Sequence, residues 1–248
     1  MTDFNMALMD GGPVYTETNL RGVVVEPWNA ASALLFLVIV LYWLVRLRGR
    51  YARFPFLSLC LPILAAGGLG GTLYHATRAS TVFYLMDVFP ILVLALAISA
   101  FLWSKLLPRW WLGLALLLPY FLIHRTGFDW LDSHQAINLS YAALAAIVLA
   151  PTVLYLLRNR FRHGGWILLA CVSFAIALYF RYADPQRFLP MGTHWLWHTF
   201  GAVASWAVSE FLYLLELDAV PSAVKDALSQ MPLQDATKAQ QDAPAGLG

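Results

Sequence analysis

The stretch 82–104, VFYLMDVFPILVLALAISAFLWS, decides the fold, because its only charged side chain is Asp87. A helix rises 1.5 Å per residue, so about 20 apolar residues cross the ~30 Å hydrocarbon core of a bilayer. Working outward, comparable runs recur at 28–46, 55–75, 109–125, 137–157, 165–182 and 192–214, which makes seven predicted spans. Hydrophobic residues are 60% of the 248 and charged residues 12%, and the charges fall in short segments between the runs. The pattern predicts an all-α polytopic membrane protein with no separate soluble domain. Three regions follow: a segment 1–27, a seven-helix domain 28–216 and a polar tail 217–248. The tail reads as disordered apart from a short surface helix around Pro221 to Met231. Residues 1–27 have neither the basic start nor the apolar run of a signal peptide, so none is expected.

Orientation follows from the basic residues. With the N-terminus outside, Arg46, Arg48, Arg50, Arg53, Lys105, Arg109, Arg158, Arg160, Arg162, Lys225 and Lys238 lie on the cytoplasmic side. Arg21, Arg78, Arg125, Arg181 and Arg187 remain outside. The excess predicts N-out and C-in under the positive-inside rule. Topology then gathers scattered polar residues at one depth. His75 ends the second span, Asp87 lies ~8 Å into the third, and His194 and His198 lie ~3 and ~9 Å into the seventh, all in the outer third of the bilayer. Glu26, before Pro27, is at the same level.

His194 and His198 are four apart in GTHWLWHTFGA, which on a helix places both rings on one face. Two imidazoles there, with His75 as a third, match the three protein ligands of a catalytic zinc site. A lone histidine at a helix end is ordinarily an interfacial residue, and a structural role for the pair competes with a metal role. Asp87 weighs against coincidence, because an ionisable group inside a span costs at least ~2.5 kcal/mol and normally faces a partner or a polar cavity. Glu26 has a simpler reading as a carboxylate complementing the dipole of the first helix. Glu210 reads as an interfacial charge. Trp103, Trp110, Trp111, Trp195 and Trp197 read as interfacial belts, with Trp195 and Trp197 also placed to shape the mouth of a lipid cavity. Cys60 and Cys171 read as small hydrophobes.

The segments GGLGGTLYHATRASTVFYLMDVFPI, GTHWLWHTFGA and EPWNAASALLF resemble the alkaline ceramidases and their bacterial relatives, members of the CREST superfamily of seven-helix hydrolases. That superfamily also holds the progestin and adiponectin receptors. The resemblance covers the first, second, third and seventh spans. It implies zinc held by His75, His194 and His198, with Asp87 handling the proton of the attacking water. It also implies a calcium site near the N-terminus, to which Glu17, Asn19 and Glu26 correspond in part, with Val14 standing where the family has an aspartate. The family's serine four residues before the first histidine is Gly71 here. Thr72, on roughly the same helical face, is the nearest hydroxyl to take its place. The interval from His75 to Asp87 is one residue longer, an extension assigned to a flexible loop around Arg78 to Thr81. Thr16 replaces the family's N-terminal cysteine, so no disulfide is expected there.

The expected function is zinc-dependent hydrolysis of an acyl bond, amide or ester, in a ceramide-like or other acylated membrane lipid. The alternative is a seven-helix lipid-sensing protein with a structural zinc. A retinal protein is excluded because Lys105, Lys225 and Lys238 are the only lysines and none lies in the seventh span. No inverted repeat points to a transporter. Nucleic acid is not an expected partner, and the oligomeric state is left open. The short loops, the missing cysteine and the polar tail point to a bacterial inner membrane with the site facing the periplasm; the lumen of an internal membrane is the alternative.

Overall fold

The computed structural model describes residues 10–109, 111–112 and 133–219, with side chains described from 139 onward in the last of these. Six helices are long and apolar enough to cross a membrane. They are α1 (Pro27–Arg46), α2 (Pro55–Thr77), α3 (Thr81–Leu106), α4 (Ser133–Arg158), α5 (Gly164–Ala183) and α6 (His194–Ala219). Among the described residues there is no strand. The described residues are therefore all-helical, and the six apolar helices are those of an integral membrane protein. The expected span at 109–125 and the tail beyond Ala219 lie outside the described residues, as do Trp110, Arg125, Lys225, Lys238 and the surface helix around Pro221.

Local sequence explains the helix ends. Pro27 and Pro55 open α1 and α2, where a missing N–H costs nothing. Ser80 caps α3 by accepting from the Val82 amide at 3.1 Å. The last helix starts two residues later than expected and continues to Ala219, carrying Glu216 to the start of α2, where its carboxylate accepts from the Phe56 and Leu57 amides. In-membrane packing has no hydrophobic drive between helices, so close contact supplies the stabilisation. The glycine run of α2 permits that contact. A Cβ on Gly70 would lie 2.4 Å from the Met86 Cβ, and one on Gly68 3.0 Å from Leu37.

Helix α1 packs on α2 and α6, α2 on α3, α3 on α4, and α5 on α6, with lighter contact between α4 and α5. The starts of α1, α3, α4 and α6 and the ends of α2 and α5 share one face of this ring. The opposite face is closed by apolar clusters around Trp43, Phe54 and Tyr213 and around Leu102, Leu156 and Phe211. Glu210 lies on that side but is no solvated interfacial charge. It is buried and takes hydrogen bonds from Arg46 and from the Tyr42 hydroxyl. Trp197 also departs from the belt reading, since it is buried against Tyr141 and Phe174. Cys60 and Cys171 are free thiols, the first buried and the second half-buried.

Candidate metal centre

The end of α2 and the start of α6 bring His75, His194 and His198 together as three buried imidazoles. One ring nitrogen from each lies within 4.8 Å of the others. Ring centroids are 5.3 Å apart for His75 and His194, 4.8 Å for His75 and His198, and 4.7 Å for His194 and His198. Nε2 of His75 and Nδ1 of His194 are buried with no hydrogen-bond partner among the described residues. Buried ring nitrogens left bare in this way are the expected state of metal ligands, because a buried polar atom otherwise finds a partner. The residues present therefore fit a metal ion.

Neighbours fix the ring tautomers. Nδ1 of His75 lies 2.5 Å from Oε2 of the Glu26 carboxylate, an acceptor, so the proton sits on Nδ1 and the Nε2 lone pair faces the other histidines. Nδ1 of His198 donates to the Asn29 carbonyl at 3.1 Å, and the Ser32 hydroxyl lies 2.9 Å from the same nitrogen. A ring proton held by carboxylate or carbonyl raises the basicity of the opposite nitrogen and locks the ring. His194 is placed through its backbone. Asp184, just beyond α5, accepts from the Thr193 amide at 2.7 Å and the His194 amide at 3.0 Å, capping α6 from a distance. The approach needs Gly192, which has φ +71 and whose Cβ would lie 2.3 Å from the Asp184 carboxylate. Tyr15 stacks on the His194 ring at 3.7 Å.

The segment before α1 closes the centre. The Val25 and Glu26 amides donate to the Ala76 and His75 carbonyls at 2.9 and 3.0 Å, satisfying the end of α2. Thr16 binds Asp184 through both its amide and its hydroxyl. Arg78 adopts φ 47 at the end of α2, and its buried guanidinium donates to Asp10, Gly12, Pro13 and Glu26. Burial works against ionisation of Glu26, but the His75 hydrogen bond and the Arg78 guanidinium outweigh it and hold the carboxyl below its ordinary pKa. Glu26 is thus a carboxylate in service to His75.

Several expectations change here. Arg78 is not a solvated outer charge on a flexible loop, but a pinned internal cation. Glu26 occupies the N-cap position of α1, but its carboxylate makes no capping hydrogen bond; Glu17 takes the free amides of the first turn, accepting from Trp28 and Asn29. Each of the three residues expected at a calcium site has a partner within the protein. Glu17 holds α1, exposed Asn19 accepts from the Arg21 amide at 3.2 Å, and the cation that Glu26 meets is Arg78. The Thr72 hydroxyl donates to the Gly68 carbonyl at 2.7 Å within α2. Gly71 is the position that faces the site, and a Cβ there would lie 2.5 Å from Oδ1 of Asp87. Asp87 itself is partly open to solvent, with Oδ2 4.0 Å from Nε2 of His75.

Residues that sequence reasoning missed are the supports: Asp10, Tyr15, Asn29, Ser32 and Asp184. The signal for Asp184 was present as an acid ahead of Gly192 and the histidines; the others have none short of the fold. Trp28 and Trp195, 5.7 Å apart, stand beside the centre on α1 and α6. No protein-family model matches the chain, and comparison with curated proteins gives no significant match.

Proposed function

We propose that the protein is a membrane-embedded hydrolase that cleaves an acyl bond, amide or ester, in a lipid, in the manner of the alkaline ceramidases it resembles, with zinc on His75, His194 and His198. One observation carries the reading: three buried imidazoles converge within 4.8 Å, and the Asp87 carboxylate stands 4.0 Å from the bare nitrogen of His75. An all-imidazole donor set suits zinc. A zinc ion held there supplies Lewis-acid chemistry, polarising a carbonyl and acidifying water toward neutral pH.

The chain's own residues do the rest. Glu26 and the Asn29 carbonyl keep the protons of His75 and His198 on the nitrogens turned away from the centre. Asp87 accepts a proton from the attacking water and returns it to the leaving amine or alcohol. Gly71 leaves the space that this carboxylate needs. A structural zinc site is closed by a fourth protein ligand. Among the described residues the cluster stops at three, with a carboxylate beside it, which favours hydrolysis over lipid sensing.

Membrane topology belongs to the same proposal. The Arg158 guanidinium reaches the Leu106 carbonyl, so α3 and α4 end beside each other on the face opposite the histidines. Two helices running the same way support a seventh crossing between them. Together with the distribution of Lys and Arg, this favours an N-out chain whose centre faces away from the cytoplasm, in a bacterial inner membrane toward the periplasm.

The test is elemental analysis of purified protein combined with mass spectrometry of N-acyl and O-acyl lipids incubated with and without a zinc chelator. Wild-type protein should carry one zinc and release fatty acid, and His198→Ala should lose the metal. Asp87→Asn should keep the metal and lose turnover by about 100-fold or more. Protein without stoichiometric zinc overturns the proposal, and undiminished turnover in Asp87→Asn removes the role given to that residue.

A further inference from the structure

Arg181 differs from the other arginines that reach into the protein. Arg46 meets Glu210, Arg78 meets Asp10 and Glu26, and Arg162 meets Asp218. Among the described residues no carboxylate lies within ion-pair distance of Arg181, although it sits in the last turn of α5 inside a membrane-spanning segment. Its guanidinium carbon lies 5.3 Å from the centre of the Tyr141 ring and 5.4 Å from that of Trp197. Trp197 lies between His194 and His198 at the start of α6, so this charge rests against the helix that carries both. Tyr15 lies flat on the His194 ring at 3.7 Å.

A guanidinium resting on ring faces keeps its N–H edge available, and that edge matches the geometry of a carboxylate or phosphate. A charge within a span that has no acid beside it marks a binding function by default. Asp87 is itself committed to the face of His75. We propose that Arg181 binds an anionic group, a carboxylate or phosphate, that the substrate lipid carries next to its scissile acyl linkage. The inference rests on the hydrolase reading of the histidine centre and narrows its substrates to acidic acyl lipids.

Two probes with the same chain and the same amide separate charge from everything else: N-dodecanoylglycine, which is anionic, and N-dodecanoylethanolamine, which is neutral. Binding to the zinc-loaded full chain is followed by titration calorimetry, and turnover of both probes by mass spectrometry. Wild-type protein should bind the anionic probe roughly 10- to 100-fold more tightly, a range expected for one charge-assisted contact. Arg181→Gln should abolish that preference with its zinc content unchanged, and Arg181→Lys should retain part of it. N-acetylglycine, which has the charge without the chain, should bind at least about tenfold more weakly than the lipid. Equal affinity for the two lipids, a preference that survives Arg181→Gln, or N-acetylglycine binding as tightly as the lipid overturns the assignment. Equal turnover of both probes overturns it and leaves the hydrolase standing. An Arg181-dependent binding preference with no turnover of either probe supports the anion site and overturns the hydrolase.

Discussion

The two ends of the helical bundle handle buried polar groups in opposite ways. On the face away from the histidines, Glu210 meets Arg46, Glu216 caps α2, and Asp218 takes both Arg162 and His163. Of the six buried side-chain atoms without a partner among the described residues, only Trp43 Nε1 lies there. The other five, on Asn29, Tyr74, His75, His194 and Trp195, surround the metal centre. Each unmet buried polar atom costs about 1–3 kcal/mol. Under the proposed function, the open end holds these donors and acceptors for a metal ion and its substrate.

That contrast can be broken from either side. Glu26→Gln strikes the histidine end most directly, since it replaces the carboxylate that orients His75. Metal affinity should fall roughly 10- to 100-fold in competition with a chromophoric chelator; unchanged affinity would reduce Glu26 to a partner of Arg78. Gly71→Ala comes next. The added methyl collides with Asp87, so turnover should drop by about tenfold while zinc content holds, an effect equivalent to about 1.4 kcal/mol in the barrier. Thr72→Val, one position away, should remain within about twofold of wild type because its hydroxyl serves only the α2 backbone. Similar losses in both variants would mean that helix packing, and not the Asp87 carboxylate, is being disturbed. Glu210→Gln should leave the centre untouched. Breaking a pair whose arginine is about one-third exposed should lower stability by roughly 1–2 kcal/mol, read as a lower unfolding temperature at constant zinc per folded protein.

The sequence made the helices legible because a bilayer demands one length and one kind of surface. The predicted runs at 28–46 and 82–104 match α1 and α3 to within two residues. His194 and His198 were legible from their spacing, and His75 and Asp87 from depth once the helices were laid antiparallel. What surrounds them was not. Arg78 reads as a loop charge until the chain before α1 folds back and presents Asp10 and Glu26. Asp184 looks like any acid beside a proline until Gly192 lets it reach the start of α6. Thr72 was chosen for its hydroxyl, but hydroxyls inside helices commonly bond the carbonyl one turn back. Long-range hydrogen bonds carry no periodicity, and periodicity is what a membrane sequence displays most plainly.

The pairing of Ser32 with His198, 166 positions apart, bears on how the protein is built during insertion. Glu26 can grip His75 as soon as α1 and α2 are in the bilayer, because every partner in that contact has then been synthesised. His194 and His198 arrive only with α6. A chain truncated before α6, or stalled before its insertion, holds one oriented imidazole and no binding set. Under the proposed function, metal uptake would therefore come only after the first and last described helices have met.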